Sequence, residues 1–448
     1  MAETYRRKAL GQRSRTGCRT CRKRHVKCDE TPGACQKCKS TGRTCEGYDL
    51  QRLPHKRSPA SPSSSLARTF RWKTTSDEQR CFSFFQHRTA PTIIAYFDCF
   101  MWQELVLRAA QIEPAVFHAV VAFSAVHADY EMSSGMGQLQ LRSDNIWQQF
   151  ATDQCGRAYQ RLGLRSASHD PVLRDVTLVC CVLFMMVDMM RGESDTALIH
   201  LKHGLQILHE TQHRPMSAAS AAFHSMLGQC LSDAFVSLDV QSIYLGVEKP
   251  TIPSSPAQPL GNAPNDHLVI ESLRQARQSF DPIMGDIIRF HLYTSSLPSD
   301  IIVTNYGPLS DLQFSLSSLL NRFTNALDAF LRSSFPTLDM KGQRSLHTIR
   351  LHQLMLSILL HRCLVIDPDG LLSFHTPTFE KMTLLAETII ASFTDRPSVC
   401  LDMGVILPLS FIRNHCRDPT IQHRAINALR EWPHREGPWE SSLAAKPL

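Results

Sequence analysis

Six cysteines near the N-terminus are the residues of this chain that are best suited to chemistry. They form two identical units in which the spacings are two residues and then six, with a six-residue gap between the units. They are Cys18, Cys21, Cys28, Cys35, Cys38 and Cys45. A structural zinc takes four ligands in a tetrahedron and accepts thiolate sulfur readily. Six thiolates can fill the eight positions around two zinc ions only if two cysteines bridge, and the symmetric choice is Cys18 and Cys35.

The same cysteines could instead form a disulfide framework, which is typical of small secreted domains. The chain starts with a basic arm and lacks the apolar segment of a secretory signal. We therefore expect an intracellular protein whose cysteines bind metal. The other nine of the 15 cysteines have no regular spacing, which favours buried free thiols.

Basic side chains crowd the cysteine segment. Two zinc ions and six thiolates would together carry a formal charge of about −2. Seven nearby basic residues can offset this charge and still leave a positive surface. They are Arg19, Arg22, Lys23, Arg24, Lys27, Lys37 and Lys39.

The sequences GCRTCRKR, VKCDE and CEGY surround these cysteines. With the cysteine spacing, they make residues 15–48 similar to the fungal binuclear zinc cluster, the DNA-binding domain of fungal transcription regulators. The resemblance implies that a short helix after the second cysteine enters the major groove and reads a CGG-like triplet. By position, Val26 would pack inward, and the residues facing DNA would be Arg22, Lys23, Arg24, His25 and Lys27.

Four further basic residues, Arg19, Lys37, Lys39 and Arg43, would mainly position the cluster on DNA. The sequence departs from the family pattern at two places. His25 stands where the family most often has Lys or Arg, and Pro32 lies one residue earlier than the usual proline of the loop between the units. These departures bear on the triplet preference more than on DNA binding.

The N-terminal part of the chain, which contains the cysteine segment, and the rest of the chain differ sharply in net charge. Residues 1–73 contain 19 Lys or Arg and 5 Asp or Glu, a net charge of +14. The remaining 375 residues contain 29 and 36, a net charge of −7. This asymmetry indicates a nucleic-acid partner for the N-terminal part alone. We divide the chain into a basic arm (1–17), a zinc cluster (18–47), a flexible linker rich in Pro and Ser (48–79) and a body (80–448).

The linker has no heptad pattern, because Pro54 follows directly after Leu53. Dimerisation through a coiled coil here is therefore not expected. The protein would bind a single triplet, or else form a homodimer through its large body.

The body has helical periodicity, and we predict an all-α domain of ten to fourteen helices. Leu198, Leu201, Leu205 and Leu208 follow amphipathic spacing. Capping residues are predicted at Asp170 before Pro171, at Ser310, and at Asp418 before Pro419. Residues 246–266 are predicted to form a long surface loop. The segments FHAVVAFSAVHADY, ALIHLKHGLQIL and FVSLDVQSIYLG make the body similar to the helical regulatory domain that accompanies this cluster in many fungal regulators.

One segment of the body matches a catalytic motif. His209, Glu210 and His213 fit H-E-x-x-H, the signature of zinc proteases. The motif needs an uninterrupted helix and a third ligand, whereas Pro215 follows at once. Surface histidines at a helix end are the better interpretation, and we expect no enzyme activity.

Together, these observations predict a fungal, nuclear transcription factor that binds double-stranded DNA and holds two zinc ions. Its further partners would be the transcription machinery or co-regulators, and no membrane is expected. The C-terminal segment 431–440, which contains Trp432 and Trp439, could contact that machinery or remain a solvated tail. The resemblance makes a metabolic or secondary-metabolite pathway plausible. The alternative from another class is a zinc-stabilised scaffold for protein interactions, against which the surplus of basic residues speaks.

Overall fold

The computed structural model describes a small cysteine-rich part and a large helical body. The described residues are 17–29, 31, 35–46, 70–134, 145–165, 172–211, 221–243, 268–365 and 369–446. Several predictions concern residues outside these ranges. They are the basic arm up to residue 16, Pro32, the linker up to residue 69, the cap at 170–171, His213 and the loop at 246–266.

Two short helices, α1 (Arg19–Lys23) and α2 (Gln36–Lys39), form the cysteine-rich part. Each begins directly after a cysteine whose sulfur accepts a hydrogen bond from a backbone N–H of the helix. Cys18 Sγ accepts from Cys21, and Cys35 Sγ accepts from Cys38. Helices of one turn are not stable alone in water. Their stability therefore depends on the cysteine cluster to which they are attached.

The first half of the body is a layered helical bundle around one long central helix. Its elements are α3 (Ser76–Phe84), a π-helical turn (Phe85–Thr89), α4 (Ala90–Ile93), a second π-helical turn (Met101–Leu105), α5 (Val106–Ile112), α6 (Pro114–Ser134), α7 (Ile146–Gly163), α8 (Val172–Arg191), α9 (Ser194–Thr211) and α10 (Ala221–Ile243). Helix α6 contacts α3, α5, α7 and α8. Its residues 115–130 are all buried, as expected of a helix that neighbours surround completely.

The second half has its own hydrophobic core around α14. Its elements are α11 (Leu273–Ser296), α12 (Ser299–Thr304), α13 (Tyr306–Ser334), a 3₁₀ turn (Phe335–Thr337), α14 (Met340–Arg362), α15 (Asp369–Phe374), α16 (Thr376–Ala391), α17 (Ile406–His415), α18 (Pro419–Glu431) and α19 (Ser441–Ala444). Helix α14 packs against α11, α13, α16 and α17. The two cores are separate groups of buried residues, and α10 and α11 contact each other at the boundary.

A small sheet lies among these helices. Its strands are β1 (Val399–Cys400), β2 (Arg435–Glu436) and β3 (Trp439–Glu440), and β2 pairs in parallel with β1 and antiparallel with β3. Trp432 and Glu436 are 3% and 0% exposed. The expectation of a solvated or protein-binding tail at 431–440 is therefore wrong, because this segment forms part of the core.

Most helical predictions for the body are confirmed. Leu198 and Leu201 are buried, and Asp418 accepts a hydrogen bond from Thr420 N at the start of α18. The predicted cap at Ser310 is wrong, since α13 begins at Tyr306. The described part of the body contains 17 α-helices, of which eleven have ten residues or more. The excess over the predicted ten to fourteen consists of one- and two-turn helices that have too few residues for a detectable period.

The body also begins earlier than the sequence suggested. Phe70 is buried in the first core, and the Thr75 side chain accepts a hydrogen bond from Glu78 N at the start of α3. Residues 70–79, which we assigned to the linker, thus belong to the body.

Candidate metal centre and nucleic-acid interface

The six cysteines converge as the spacing predicts. Two groups of four have their sulfur atoms within 4.8 Å of one another. The first group is Cys18, Cys21, Cys28 and Cys35, and the second is Cys18, Cys35, Cys38 and Cys45. Cys18 and Cys35, the residues expected to bridge, are the two that belong to both groups.

The distances between sulfur atoms fit tetrahedral coordination. A zinc–sulfur bond of about 2.3 Å places two sulfurs of a tetrahedron about 3.8 Å apart. Cys18 and Cys35 are separated by 3.6 Å, Cys21 and Cys35 by 3.6 Å, and Cys18 and Cys38 by 3.7 Å. A disulfide needs about 2.05 Å. All six cysteines are free thiols, so the disulfide alternative does not apply to this cluster.

Five of the six cysteines of the cluster are buried, and Cys45 is half-buried. Cys18 and Cys21 are 0% exposed. Burial raises the pKa of the Cys18 thiol to about 12, and it also raises the pKa of Cys21 and Cys35. Metal binding requires thiolates and releases their protons. Converging buried sulfurs suit a divalent ion at the centre.

The backbone repeats with the cysteines. Cys18 and Cys35 are 17 residues apart, and the same offset relates His25 to Gly42. His25 and Gly42 both adopt the left-handed conformation, with φ of 56° and 59°. Each follows its helix, and the next residue donates its N–H to the second cysteine of the unit: Val26 N to Cys21 O, and Arg43 N to Cys38 O.

This geometry gives a physical reason for the unusual residue at position 25. Among residues with a side chain, His, Asn and Asp enter the left-handed region more readily than most. His25 therefore suits the backbone turn that ends α1. His25 was predicted only to face DNA, and its role in the turn was not predicted, although the equivalent Gly42 could have indicated it.

The predicted DNA-facing residues surround this turn. His25, Lys23 and Lys27 are exposed, and Arg22 and Arg24 are half-buried. Arg24 Nη1 donates to Thr41 Oγ1 at 3.2 Å, and Lys23 forms an ion pair with Glu46 at 2.9 Å. Arg24 and Thr41 are equivalent positions of the two units, a contact that the 17-residue offset could have revealed. An exposed pair such as Lys23–Glu46 contributes little stability, so Lys23 can exchange Glu46 for a phosphate.

The predicted inward packing of Val26 is wrong. Its side chain is 38% exposed. The buried residues of this cluster are cysteines. The remaining basic residues of the prediction, Arg19, Lys37, Lys39 and Arg43, are all exposed.

The protease-like motif lies at the end of a helix. His209 and Glu210 are exposed in the last turn of α9, and Glu210 accepts a hydrogen bond from Gln206. Among the described residues, the groups that could hold a metal ion are the two cysteine groups above. Among the described helices, none is long and apolar enough to cross a membrane.

Comparison with known families gives two matches. Residues 16–54 match the fungal Zn(2)-Cys(6) binuclear cluster domain, and residues 80–430 match the fungal specific transcription factor domain. No solved structure matches the chain.

Curated relatives agree with these domains. The aspercryptin biosynthesis cluster-specific transcription regulator of Emericella nidulans is 27% identical over 383 residues, which are 78% of this chain and 60% of the relative. A transcription regulator of Purpureocillium lilacinum is 28% identical over 48% of this chain and 54% of its own length. The White-opaque regulator 2 of Candida albicans is 49% identical over 49 residues, which are 11% of each chain. The chain thus spans little more than half the length of the first two relatives.

The family matches cover the cluster and most of the body, and they describe regulators of transcription rather than enzymes. The cluster domain implies zinc and DNA binding. The chain belongs to the fungal-specific transcription factors that carry an N-terminal binuclear zinc cluster.

Proposed function

We propose that this protein is a nuclear regulator that binds specific sites on double-stranded DNA and controls genes transcribed by RNA polymerase II. The observation that carries the proposal is the pair of overlapping four-cysteine groups, which lie beneath exposed basic side chains. A segment of this size cannot bury enough apolar surface to fold alone, so metal binding would supply its folding free energy.

Two zinc ions would be held by the six cysteines. Cys18 and Cys35 would contact both ions, since they are shared by the two groups. Cys21 and Cys28 would complete one site, and Cys38 and Cys45 would complete the other. Bound zinc would lock α1 and α2 at a constant separation, and it would thereby orient the basic side chains on them.

The DNA sequence would be recognised by the side chains of Arg22, Lys23, Arg24, His25 and Lys27. Arg and Lys can donate hydrogen bonds to O6 and N7 of guanine in the major groove, which accounts for a preference for a CGG-like triplet. His25 would donate to a base or phosphate from its turn position. Arg19, Lys37, Lys39 and Arg43 would bind phosphates, which strengthens binding without selecting sequence.

The regulated genes would belong to a metabolic or secondary-metabolite pathway. The support is the relative from Emericella nidulans, which is named as the regulator of a biosynthesis cluster. The helical body would contact co-regulators or the transcription machinery, and it would mediate homodimerisation if the protein pairs.

The proposal is tested by fluorescence anisotropy of the full chain on a CGG-containing duplex and on a scrambled duplex, each with and without a zinc chelator. We expect tighter binding to the CGG duplex and loss of that preference with chelator. Equal, chelator-insensitive binding to both duplexes would leave only electrostatic attraction by the basic residues, and it would favour the protein-interaction scaffold.

Two variants separate reading from positioning. Arg24→Ala should lower affinity for the CGG duplex by about 1–3 kcal/mol and reduce discrimination. Lys37→Ala should weaken binding to both duplexes alike and lower the salt dependence by about one counterion. Lys381→Ala, in which an exposed lysine of α16 is removed, is the matched control and should change neither. Equal losses for Arg24→Ala on both duplexes would contradict its assigned role.

A further inference from the structure

A large cavity lies at the boundary between the two halves of the body. Its volume is about 520 Å³. Ile94 and Trp102 on one side belong to the first core, whereas Phe97 belongs to the second, and Leu273 and Leu338 pack against the second. Small-molecule sites in proteins typically have volumes of about 300–1,000 Å³, mostly apolar walls and a few convergent polar groups.

The polar groups of this cavity are mainly acceptors. Five carboxylates line it, together with two guanidinium groups. The carboxylates are those of Asp98, Asp233, Asp281, Asp339 and Asp402, and the guanidinium groups are those of Arg274 and Arg277. The formal charge of the described lining is therefore negative.

The buried wall is short of positive charge. Arg277 pairs with Asp402 at 2.5 Å and with Asp281 at 3.4 Å, so two buried carboxylates share one guanidinium. Burial raises the pKa of both Asp281 and Asp402, and the shared Arg277 guanidinium opposes that rise. Asp233, farther out, accepts from Arg274 at 2.9 Å and from Gln278 at 2.8 Å.

A proline of α11 lies in the same wall. Pro282 lies inside α11 and lines the cavity. Because proline has no N–H, it removes the helical donor for the carbonyl of Gln278, one turn earlier, and Gln278 also lines the cavity.

The aromatic ring of Phe97 already contacts a cation, since the Arg277 guanidinium lies 4.5 Å from the centroid of the ring. Aromatic walls combined with excess carboxylate favour a cationic occupant.

We propose that this cavity binds an apolar organic cation, in which a ring system packs among Phe97, Trp102 and Leu273 while a protonated amine faces the carboxylates of α10 and α11. Because the walls come from both halves of the body, an occupant would stabilise the contact between α10 and α11. The body would thereby sense a small molecule.

The test uses the zinc-loaded full chain and two dyes that share one ring system, the cation Nile blue and its neutral counterpart Nile red. Binding is measured by dye fluorescence. We expect one molecule of Nile blue per chain, with an affinity about tenfold higher than that of Nile red, which a net difference near 1.4 kcal/mol would produce. Equal or tighter binding of Nile red would overturn the assignment of a cationic ligand.

Variants on α10 locate the dye. Ala234→Trp fills the cavity and should weaken both dyes at least about tenfold, because Ala234 lines the wall. Gln229→Trp is the matched control, since Gln229 is exposed on the same helix and lies outside the lining. Undiminished binding to a folded Ala234→Trp variant, with circular dichroism as the check on folding, would refute the site.

A charge variant keeps the test decisive if the tryptophan variant does not fold. Asp233→Asn removes a half-buried lining carboxylate and should lower Nile blue affinity about fivefold without changing that of Nile red. Asp239→Asn is the control, because Asp239 lies on α10 outside the lining and pairs with Arg289. Equal effects of the two variants on Nile blue would mean general attraction to an acidic surface and would overturn the proposal. These readouts are independent of DNA binding.

Discussion

Lowering the pH should destabilise the body through one buried histidine of α6. His127 is 0% exposed, and its ring contacts residues that are far apart in the chain. Its Nδ1 lies 2.9 Å from Thr89 Oγ1, and its Nε2 lies 2.9 Å from Ser398 Oγ. Ser398 donates to Glu131, so its oxygen accepts from Nε2–H, and Nδ1 accepts from Thr89. The neutral ring thus satisfies both contacts. In a charged ring Nδ1 also carries a proton, so the Thr89 hydroxyl would have to rotate and accept a hydrogen bond instead of donating one.

The size of this loss of stability follows from the pKa of His127 in the folded protein. Burial lowers the pKa of His127 from 6.5 to about 4, Glu131 opposes this shift, and Arg88 adds to it. The unfolded chain therefore binds the proton first as the pH falls, and stability present above pH 6.5 is lost on the way down to pH 4. The full shift corresponds to about 3 kcal/mol, of which about 2 kcal/mol is lost between about pH 7.5 and about pH 5.

The assay is urea unfolding of the wild type and of His127→Gln, followed by far-UV circular dichroism at about pH 7.5 and about pH 5. At the higher pH the variant should be less stable by about 1–3 kcal/mol, because it loses buried hydrogen bonds. At the lower pH the gap should narrow by about 2 kcal/mol, since only the wild type has this group to protonate. His209→Gln, at an exposed position of α9, is the control. A gap between wild type and His127→Gln that is the same at both pH values would refute the reasoning.

Three further predictions concern other buried or strained groups. Glu436→Gln should destabilise the body by about 2–4 kcal/mol in urea unfolding. The buried carboxylate accepts hydrogen bonds from Gly404 N, Ile406 N and other donors, and the NH₂ group of an amide cannot accept a hydrogen bond. An unchanged unfolding midpoint would contradict this prediction. Cys35→Ser should lower the zinc content of purified protein by more than Cys38→Ser does, as metal analysis would detect, because Cys35 belongs to both four-cysteine groups; identical losses would argue against a shared ligand. His25→Gly should keep the zinc content of the protein while weakening DNA binding. His25→Val should make the cluster more sensitive to a zinc chelator, since a β-branched residue at φ 56° costs about 1–3 kcal/mol. Equal chelator sensitivity of the two variants would contradict this prediction.

Short-range sequence patterns were sufficient to predict the cysteine groups and the longer helices. The cysteine spacing identified all six members of the two sulfur groups, because the units are short and metal coordination leaves few arrangements of so many thiols. Helices with a sustained period, such as the Leu198–Leu208 stretch of α9, were equally readable. The Asp418 cap was found because its bonding partner lies only two residues away.

Predictions failed where the deciding partner is distant or where the geometry is a matter of backbone conformation. Ser310 has the composition of a cap, yet α13 starts earlier, at Tyr306. Val26 was predicted to pack inward, yet it is exposed and the buried residues of the cluster are cysteines. The segment around Glu436 looked like an acidic tail, whereas Tyr96, 340 residues away in the chain, donates a hydrogen bond to its carboxylate.

The sequence by itself determined which six cysteines come together, which basic residues lie beside them and the helical class of the body, because each depends on residue type and on spacing over a few turns. Only the tertiary structure decided which carboxylates are buried, how the 431–440 segment closes the second core, and that a cavity opens between α10 and α11. These features arise where segments hundreds of residues apart meet. No local pattern records such meetings, because the free energy that selects them comes from packing and desolvation of the whole body.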